Sequence, residues 1–399
     1  MILGTRFLIF RLVIFTIAAI AQGYLFARIR HAIRSSRHSN RFKFWAIFFV
    51  GSAMLVLFAL NATIMTRRLP WVDPPALAQV GLLYPVAVWN FGSVFSAVVL
   101  FLVRAAGGLG RGVSRILRRL SDKATSAPVD LGRRRFLRIG AGSLATAPLV
   151  FSGYGAAYAS KATDVQELSL PFGRSLRVVQ LTDIHAGLYM TREQMRRYAD
   201  LVKRLQPDLF VLTGDFISNS MSFLPGCVEE MARVRARYGT FATLGNHEHW
   251  FGQPREIRAV FRRHNIRLLD NAHQVIPTEQ GSFAVAGIDD LRSGRPDMEA
   301  ALRGLDGSMP TLLLSHRPEI FPRAARRGIP LTLAGHWHGG QIKLNFLGID
   351  LSIAHALSPY PEGLYRINES HLYVSRGIGT TATPIRLNAP PEVTLFHLT

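Results

Sequence analysis

The rhythm of apolar and polar positions changes near residue 160. Before it, apolar residues come in long runs, and after it, short apolar blocks alternate with charged stretches. Residues 7–27 (FLIFRLVIFTIAAIAQGYLFA) and 45–65 (WAIFFVGSAMLVLFALNATIM) each approach the roughly 20 apolar residues that cross a bilayer. A third run, 80–103, is interrupted by Pro85 and Asn90 but ends in VFSAVVLFLV, and a fourth, 139–158, is rich in Gly and Ala. The pattern predicts a membrane region over 1–160 with three to four transmembrane helices. Beyond it, strands at 175–183, 208–214 and 239–245 alternate with helices at 191–206, 227–237 and 254–264. A βαβαβα order of this kind builds a mostly parallel sheet flanked by helices. Further strands follow at 282–288, 310–315, 330–334, 371–375 and 392–397, with a helix at 318–326, so 161–399 reads as a second, α/β domain.

Charge sharpens this division. Through residue 140 the chain has 20 Lys and Arg against three acids (Asp73, Asp122 and Asp130), which is +17 of a total of +21. Basic residues set between apolar runs obey membrane topology, so a membrane partner is expected and nucleic acid is not. The loops at 28–43 and 104–138 carry most of this charge and are expected to be cytoplasmic, whereas the short loop at 66–79 has Arg67, Arg68 and Asp73. Four spans then place everything after residue 160 on the extracytoplasmic side of an inner, or cytoplasmic, membrane. Within the basic flank, Arg133-Arg134-Arg135-Phe136-Leu137-Arg138 resembles a twin-arginine export signal. An ordinary helix-anchoring flank explains the same residues and predicts the same sidedness. Ala157-Tyr158-Ala159 could serve as a signal-peptidase site, and an uncleaved anchor is the alternative. Arg11 is the one charged residue well inside an apolar run, so a transport role for the spans finds little support.

Cys227 is the only cysteine, which excludes an intrachain disulfide and a thiolate metal cluster. Any metal must be held by His, Asp, Glu or Asn, ligands suited to Mn, Fe or Zn.

Candidate chemistry sits where the apolar strands end, the place at which open α/β sheets bind ligands. The first strand runs into Thr182-Asp183-Ile184-His185, the second into Gly214-Asp215 and the third into Gly245-Asn246-His247-Glu248. The fourth meets Ser315-His316 and the fifth Gly335-His336-Trp337-His338-Gly339-Gly340. Taken singly, Asp183 also reads as a helix cap or turn residue, Gly-Asp as an ordinary turn, and a lone His as structural. Two histidines around one residue, flanked by glycines that allow an irregular backbone, look more like ligands of neighbouring ions.

As an ordered set, Asp-x-His, Gly-Asp, Gly-Asn-His-Glu, Ser-His and Gly-His-x-His resembles the calcineurin-like metallophosphoesterase superfamily over 175–399. The segments His338-Gly339-Gly340-Gln341-Ile342, Tyr373-Val374-Ser375-Arg376-Gly377-Ile378-Gly379 and Pro384-Ile385-Arg386 are similar to its bacterial membrane-associated or exported phosphodiesterase branch. Trp337 departs from the Thr of that pattern. The resemblance implies a four-layer αββα sandwich and two divalent ions. Asp183, His185 and His338 would hold one ion and Asn246, His316 and His336 the other, with Asp215 bridging. It further implies His247 as a non-ligand catalytic histidine supported by Glu248, and attack on phosphorus by a metal-bridging hydroxide. Phe216-Ile217-Ser218-Asn219 after Asp215 lacks the ligating Tyr of purple acid phosphatases.

The expected activity is therefore hydrolysis of phosphomono- or phosphodiesters, with a substrate of lipid or cell-envelope origin. The alternatives are a pyrophosphatase acting on a nucleotide-linked lipid sugar and a non-catalytic metal-binding sensory module.

Overall fold

The computed structural model describes residues 2–66, 71–120, 131–159 and 161–399, so Arg67, Arg68, Asp122 and Asp130 lie outside the described residues. Two compact units divide the chain, one comprising 1–69 and 80–154, the other 70–79 and 155–399.

The first unit is helical. It contains α1 (Ile2–Arg34) and α2 (Asn40–Thr66) and, after a single turn α3 (Ala76–Ala78) assigned to the other unit, α4 (Tyr84–Leu120) and α5 (Leu131–Tyr154). Among the described residues three stretches are long and apolar enough to cross a membrane: Arg11–Arg34, Asn40–Thr66 and Ala76–Ile116. The interruption expected at Pro85 is absorbed by a π-helical turn, Gln79–Leu83, directly before α4. The fourth apolar run also lies in a helix, α5, which contains Pro148 and begins within the basic segment. Inside the bundle Gln22 Nε2 donates to Asn90 Oδ1 at 3.2 Å and Ser93 Oγ at 3.1 Å. Interhelical amide bonds of this kind hold helices together where lipid removes the hydrophobic drive.

The second unit folds around two sheets. Its first half runs β1 (Asp164–Leu170), β2 (Leu176–Leu181), α6 (Arg192–Arg204), β3 (Leu209–Thr213), α7 (Leu224–Met231), β4 (Thr240–Thr243), α8 (Asn246–Phe251), α9 (Pro254–Arg263) and β5 (Ile266–Leu268). The second half runs β6 (Ala272–Ile276), β7 (Phe283–Gly287), α10 (Met298–Leu302), β8 (Thr311–Leu314), α11 (Phe321–Arg326) and β9 (Leu331–Ala334). It closes with β10 (Leu344–Phe346), β11 (Ile349–Leu351), α12 (Ile353–Leu357), β12 (Gly363–Ile367), β13 (Ser370–Val374) and β14 (Glu392–Leu398). One sheet has the order β1-β14-β2-β3-β4-β5 and the other β12-β13-β9-β8-β7-β6, while β10 and β11 form a separate hairpin. Pairing is parallel along β2-β3-β4-β5 and along β13-β9-β8-β7.

Local sequence fixes several of these elements. Thr191 caps α6 through a capping box with Gln194. Proline at the first turn starts α9, and Pro225 starts α7 a few residues ahead of the expected position. The interior strands are buried on both faces. Val178, Val211, Phe241, Val285, Leu312, Leu333 and Phe396 fill the space between the sheets. Val179, Leu181, Phe210 and Leu212 face α6, α7 and α9, and Ala286 and Leu313 pack with Ala301 of α10 and Ala324 of α11 on the opposite side. The result is the αββα sandwich, with helices covering strands that would otherwise expose continuous apolar runs.

Polar bonds tie the sheets together at the ends where the strands emit their loops. Gln180 Nε2 on β2 donates to the Ala334 carbonyl at the end of β9 and to Thr213 Oγ1, both at 2.9 Å. Thr243 Oγ1 at the end of β4 donates to the Ile288 carbonyl. The five strand-end segments thereby converge on one rim. Phe241 is fully buried between the sheets. Phe241→Ala is expected to destabilise the domain by about 3–5 kcal/mol, seen as a lower midpoint in thermal unfolding of the detergent-solubilised protein.

Candidate metal centre

After β2, β3 and β9 the chain leaves the sheet through a backbone kink at the rim. Asp183, His185, Asp215, His336 and His338 all adopt positive φ, between 49° and 75°. Left-handed backbone is uncommon for residues other than glycine and persists only where surroundings enforce it. A straight strand would keep residues two apart on one face but about 6–7 Å from each other. The kinked backbone after β2 brings His185 Nε2 to 3.9 Å from Asp183 Oδ1, and the same backbone recurs at His336 and His338. Close approach demands glycine at two points. A Cβ on Gly245 would lie 2.2 Å from Asp215 Oδ1, and one on Gly335 would lie 2.2 Å from Asp183 Oδ2.

The two aspartates divide their oxygens alike. Asp183 Oδ2 accepts from Thr182 Oγ1 at 2.8 Å and from the His336 amide at 3.0 Å. Its Oδ1 is buried without a hydrogen-bond partner, 3.3 Å from His338 Nε2 and 3.9 Å from His185 Nε2. Asp215 Oδ1 accepts from the His247 amide at 2.9 Å. Its Oδ2 lies 3.3 Å from His316 Nε2, 3.6 Å from His185 Nε2 and 3.9 Å from His247 Nε2. His185 Nε2 faces His338 Nε2 at 3.1 Å, and His316 Nε2 faces His336 Nδ1 at 3.1 Å.

Acceptor atoms aimed at one another in a dry pocket are spaced like the edges of a coordination shell with bonds of about 2.0–2.2 Å. They form overlapping groups that could each hold a cation: Asp183–His185–His338, His185–Asp215–His247 and Asp215–His316–His336. Asp215 belongs to the last two and His185 to the first two, so the donor set fits a pair of neighbouring ions.

The flanking atoms orient these donors. His316 Nδ1 donates to the Thr213 carbonyl at 2.9 Å and His247 Nδ1 to the Ser218 carbonyl, which turns the Nε2 of each ring toward the cluster. Asn246 Oδ1 lies 3.1 Å from Arg317 Nη2, on the His336 side.

Burial pushes the Asp183 carboxyl up to about 6, aided by the negative charge of Asp215 and opposed by His316. Burial would also raise Asp215, but His316 and His247 outweigh it and hold that carboxyl well below the usual range. His316 is the counterpart: despite burial, Asp215 lifts it to about 10. Burial drives His185 down to about 3, and burial together with neighbouring cationic groups lowers His336 and His338. Burial thus holds His185, His336 and His338 toward the neutral imidazole, whereas Asp215 holds His316 toward its protonated form.

All eight site residues expected from the sequence meet at this rim. The role expected for Glu248 needs correction. Rather than supporting the His247 ring, its fully buried carboxylate accepts backbone amides of Asp215 and Gly245 at 2.9 Å, Phe216 at 2.8 Å and Ile217 at 3.2 Å. It therefore clamps the Asp215 turn to the Gly245 turn. Burial, reinforced by the Asp215 charge, raises its carboxyl to about 7.

Three further groups were given no site role from the sequence. Arg317 Nε pairs with Asp290 Oδ2 at 2.9 Å, deep in the protein. Asp289 and Asp290 follow β7, so the strand-end rule that found the others applied to them too. Arg386 is fully buried and donates to the carbonyls of Arg376, Gly377, Gly379 and Ala389, with Nη2 3.2 Å from His338 Nδ1. Trp337, the departure from the expected Thr, donates from Nε1 to Glu319 at 2.9 Å.

Two sheets packed face to face under helices, with a carboxylate–imidazole cluster at one rim, define a metal-binding hydrolase scaffold. Residues 176–340 match the family described as calcineurin-like phosphoesterase. An uncharacterized metallophosphoesterase, YkuE, of Bacillus subtilis (strain 168) is 31% identical over 280 residues, which cover 67% of this chain and 98% of that protein. A transmembrane protein with metallophosphoesterase domain from Bos taurus is 30% identical over 310 residues, 72% of this chain and 68% of that one. Its counterpart in Danio rerio is 29% identical over 317 residues, covering 74% and 70%. The chain belongs to the calcineurin-like phosphoesterase family.

Because His316 carries a proton that a divalent cation must displace, metal loading is expected to release about one proton near pH 7 and to weaken as pH falls. Calorimetric titration with Mn²⁺ in buffers of different ionisation enthalpy measures that release.

Proposed function

We propose that this protein is a membrane-anchored hydrolase of phosphate esters that works with two divalent cations at the rim cluster. In this reading Asp183, His185 and His338 hold one cation, Asn246, His316 and His336 hold the other, and Asp215 is shared. The observation that carries the proposal is the position of Asp215 Oδ2, within 3.3–3.9 Å of ring nitrogens from both halves of the cluster. Cations in those positions would neutralise phosphate oxygens and lower the pKa of a water between them.

The protein's own groups do the rest. Glu248 keeps the Asp215 and Gly245 turns in register, and the Thr213 carbonyl fixes the His316 ring. His247 stands at the edge of the cluster, partly accessible, with its Nδ1 committed to the Ser218 carbonyl. With Nδ1–H donated there, Nε2 can donate to a phosphate oxygen or to the leaving oxygen only from the imidazolium form, the task of a placed acid.

For location, we propose an inner membrane with the catalytic domain on the extracytoplasmic side. The basic loops at 28–43 and 104–138 support a cytoplasmic position for both. Segment 70–79 supports it further, because it belongs to the catalytic unit: Asp73 Oδ1 accepts from the Arg192 amide at 3.1 Å and Gln79 Nε2 donates to the Leu188 carbonyl at 2.9 Å. A loop between the second and third spans and the domain after residue 160 then share one side, which requires α5 to cross.

The purified full chain with added Mn²⁺ is expected to release p-nitrophenol from bis- or mono-p-nitrophenyl phosphate, and failure on both would overturn the assignment. His247→Ala should retain metal by elemental analysis while losing about 10²–10⁴-fold in kcat, whereas Asp215→Ala should lose metal and activity together. C-terminal reporter fusions should show alkaline phosphatase activity and no green fluorescence, and the reverse would reject the sidedness.

A further inference from the structure

The hairpin of β10 and β11 turns its apolar side outward. Its register pairs Leu344 with Leu351 and Asn345 with Asp350, so the two faces separate by polarity. The polar face is satisfied within the domain: Asn345 Nδ2 donates to Asp350 Oδ1 at 2.9 Å, and Lys343 bridges Asp350 and Glu362. On the opposite face Leu344, Ile349 and Leu351 are more than half exposed. At the tip, Leu347 and Gly348 have φ of 51° and 79°, the primed turn that normally takes Asn-Gly. A leucine there is backbone-strained, and it is 86% exposed. The next element extends the patch, since Ile353 and Leu357 lie one helical turn apart on α12 and are both largely exposed, while Ala354 is buried. In water this arrangement is unfavourable three times over, in strain, in exposed apolar area and in its inverted polarity.

The base of the hairpin is fastened to the metal-centre loop. It begins shortly after His338, Lys343 N donates to the Leu387 carbonyl at 2.9 Å, and Gln341 Nε2 donates to the carbonyls of Thr381, Thr383 and Ile385. The chain also supplies the reason for one occupant over others. Segment 70–79, which belongs to the catalytic unit, connects the stretches Asn40–Thr66 and Ala76–Ile116, both long and apolar enough to cross a membrane. The domain therefore works within reach of a bilayer, and no acidic side chain interrupts the outward face.

We propose that Leu344, Leu347, Ile349, Leu351, Ile353 and Leu357 form a wedge that seats in the lipid surface and presents the metal centre to a phosphate ester anchored in that leaflet. This substrate class rests on the proposed hydrolase activity, whereas the seating of the wedge does not.

Cys227 is fully buried, so Leu347→Cys introduces the one reactive thiol for an environment-sensitive fluorophore. In the full chain reconstituted into phosphatidylcholine nanodiscs, doxyl-labelled lipid should quench the label at 347 severalfold more than a label placed by Ser308→Cys on an exposed loop. Equal quenching overturns the wedge, as does disulfide cross-linking between copies through position 347, which would mean that the patch buries itself against a second protein molecule.

For the substrate class, Leu347→Asp with Ile349→Asp should leave Mn²⁺-dependent hydrolysis of bis-p-nitrophenyl phosphate unchanged. It should cut phosphate release from phosphatidic acid in phosphatidylcholine vesicles by about tenfold or more. Equal rates for wild type and variant on the vesicles overturn the lipid-substrate claim. Absence of wild-type activity on the soluble ester instead rejects the hydrolase assignment, and the quenching experiment still decides the wedge.

Discussion

Carboxylate oxygens and imidazole nitrogens crowded into one buried pocket are the constraint around which the catalytic domain is organised. Oδ1 of Asp183 is buried without a hydrogen-bond partner, Oδ2 of Asp215 faces three histidines, and ring nitrogens lie 3.1 Å apart in the pairs His185–His338 and His316–His336. Left alone, such a cluster is unfavourable, because burial penalises charge and orphaned acceptors alike. The surrounding structure commits strong interactions to holding it. Five non-glycine residues sit in left-handed backbone, Glu248 gathers four amides, and Arg317 and Arg386 place guanidinium groups behind the histidines. Elements with no direct part in chemistry are thereby explained. The sheet-to-sheet bonds of Gln180 and Thr243 keep strand ends from different sheets at a fixed separation.

How much of this was legible in the sequence follows a physical line. The interior strands, β2, β3, β4, β7, β8, β9, β13 and β14, all announce themselves as apolar runs, because each is covered on both faces. The four missed sheet strands, β1, β5, β6 and β12, are the four sheet edges. An edge strand is half covered, so its sequence mixes polar and apolar residues as a loop does, as the partly exposed positions of β1 and β12 show. The hairpin β10–β11 was missed for a related reason, since Leu347 replaces the turn residue that would have marked it. Site residues were found because strand ends emit them in fixed order. Arg317 and Arg386 were not, because a buried arginine looks like a surface one until its carbonyl and carboxylate partners, brought from Asp290 and 376–389, are in place.

The helical unit obeys a different economy. Apart from Arg11, its positive charge lies outside the apolar runs, and uncharged groups bond across helices within the bundle, Gln22 with Asn90 and Ser93. These side chains define which helix faces meet without placing an unpaired charge in lipid. The division of labour is complete: one unit concentrates charge at a rim, and the other keeps charge at its ends.

The position of β14 has a further consequence for how the molecule is made. Residues 392–398 lie between β1 and β2, parallel to the first and antiparallel to the second, and the Thr399 carbonyl receives the Phe172 and Gly173 amides. One sheet therefore cannot close until residues more than two hundred positions apart are joined, a pairing of high contact order that forms slowly. Throughout synthesis the flanks of β1 and β2 remain open, so an apolar half-sheet must be kept apart from its neighbours while the membrane helices are already inserting. Biogenesis of this protein is thus a problem of timing, in which β14 seals strands that emerged more than two hundred residues before it.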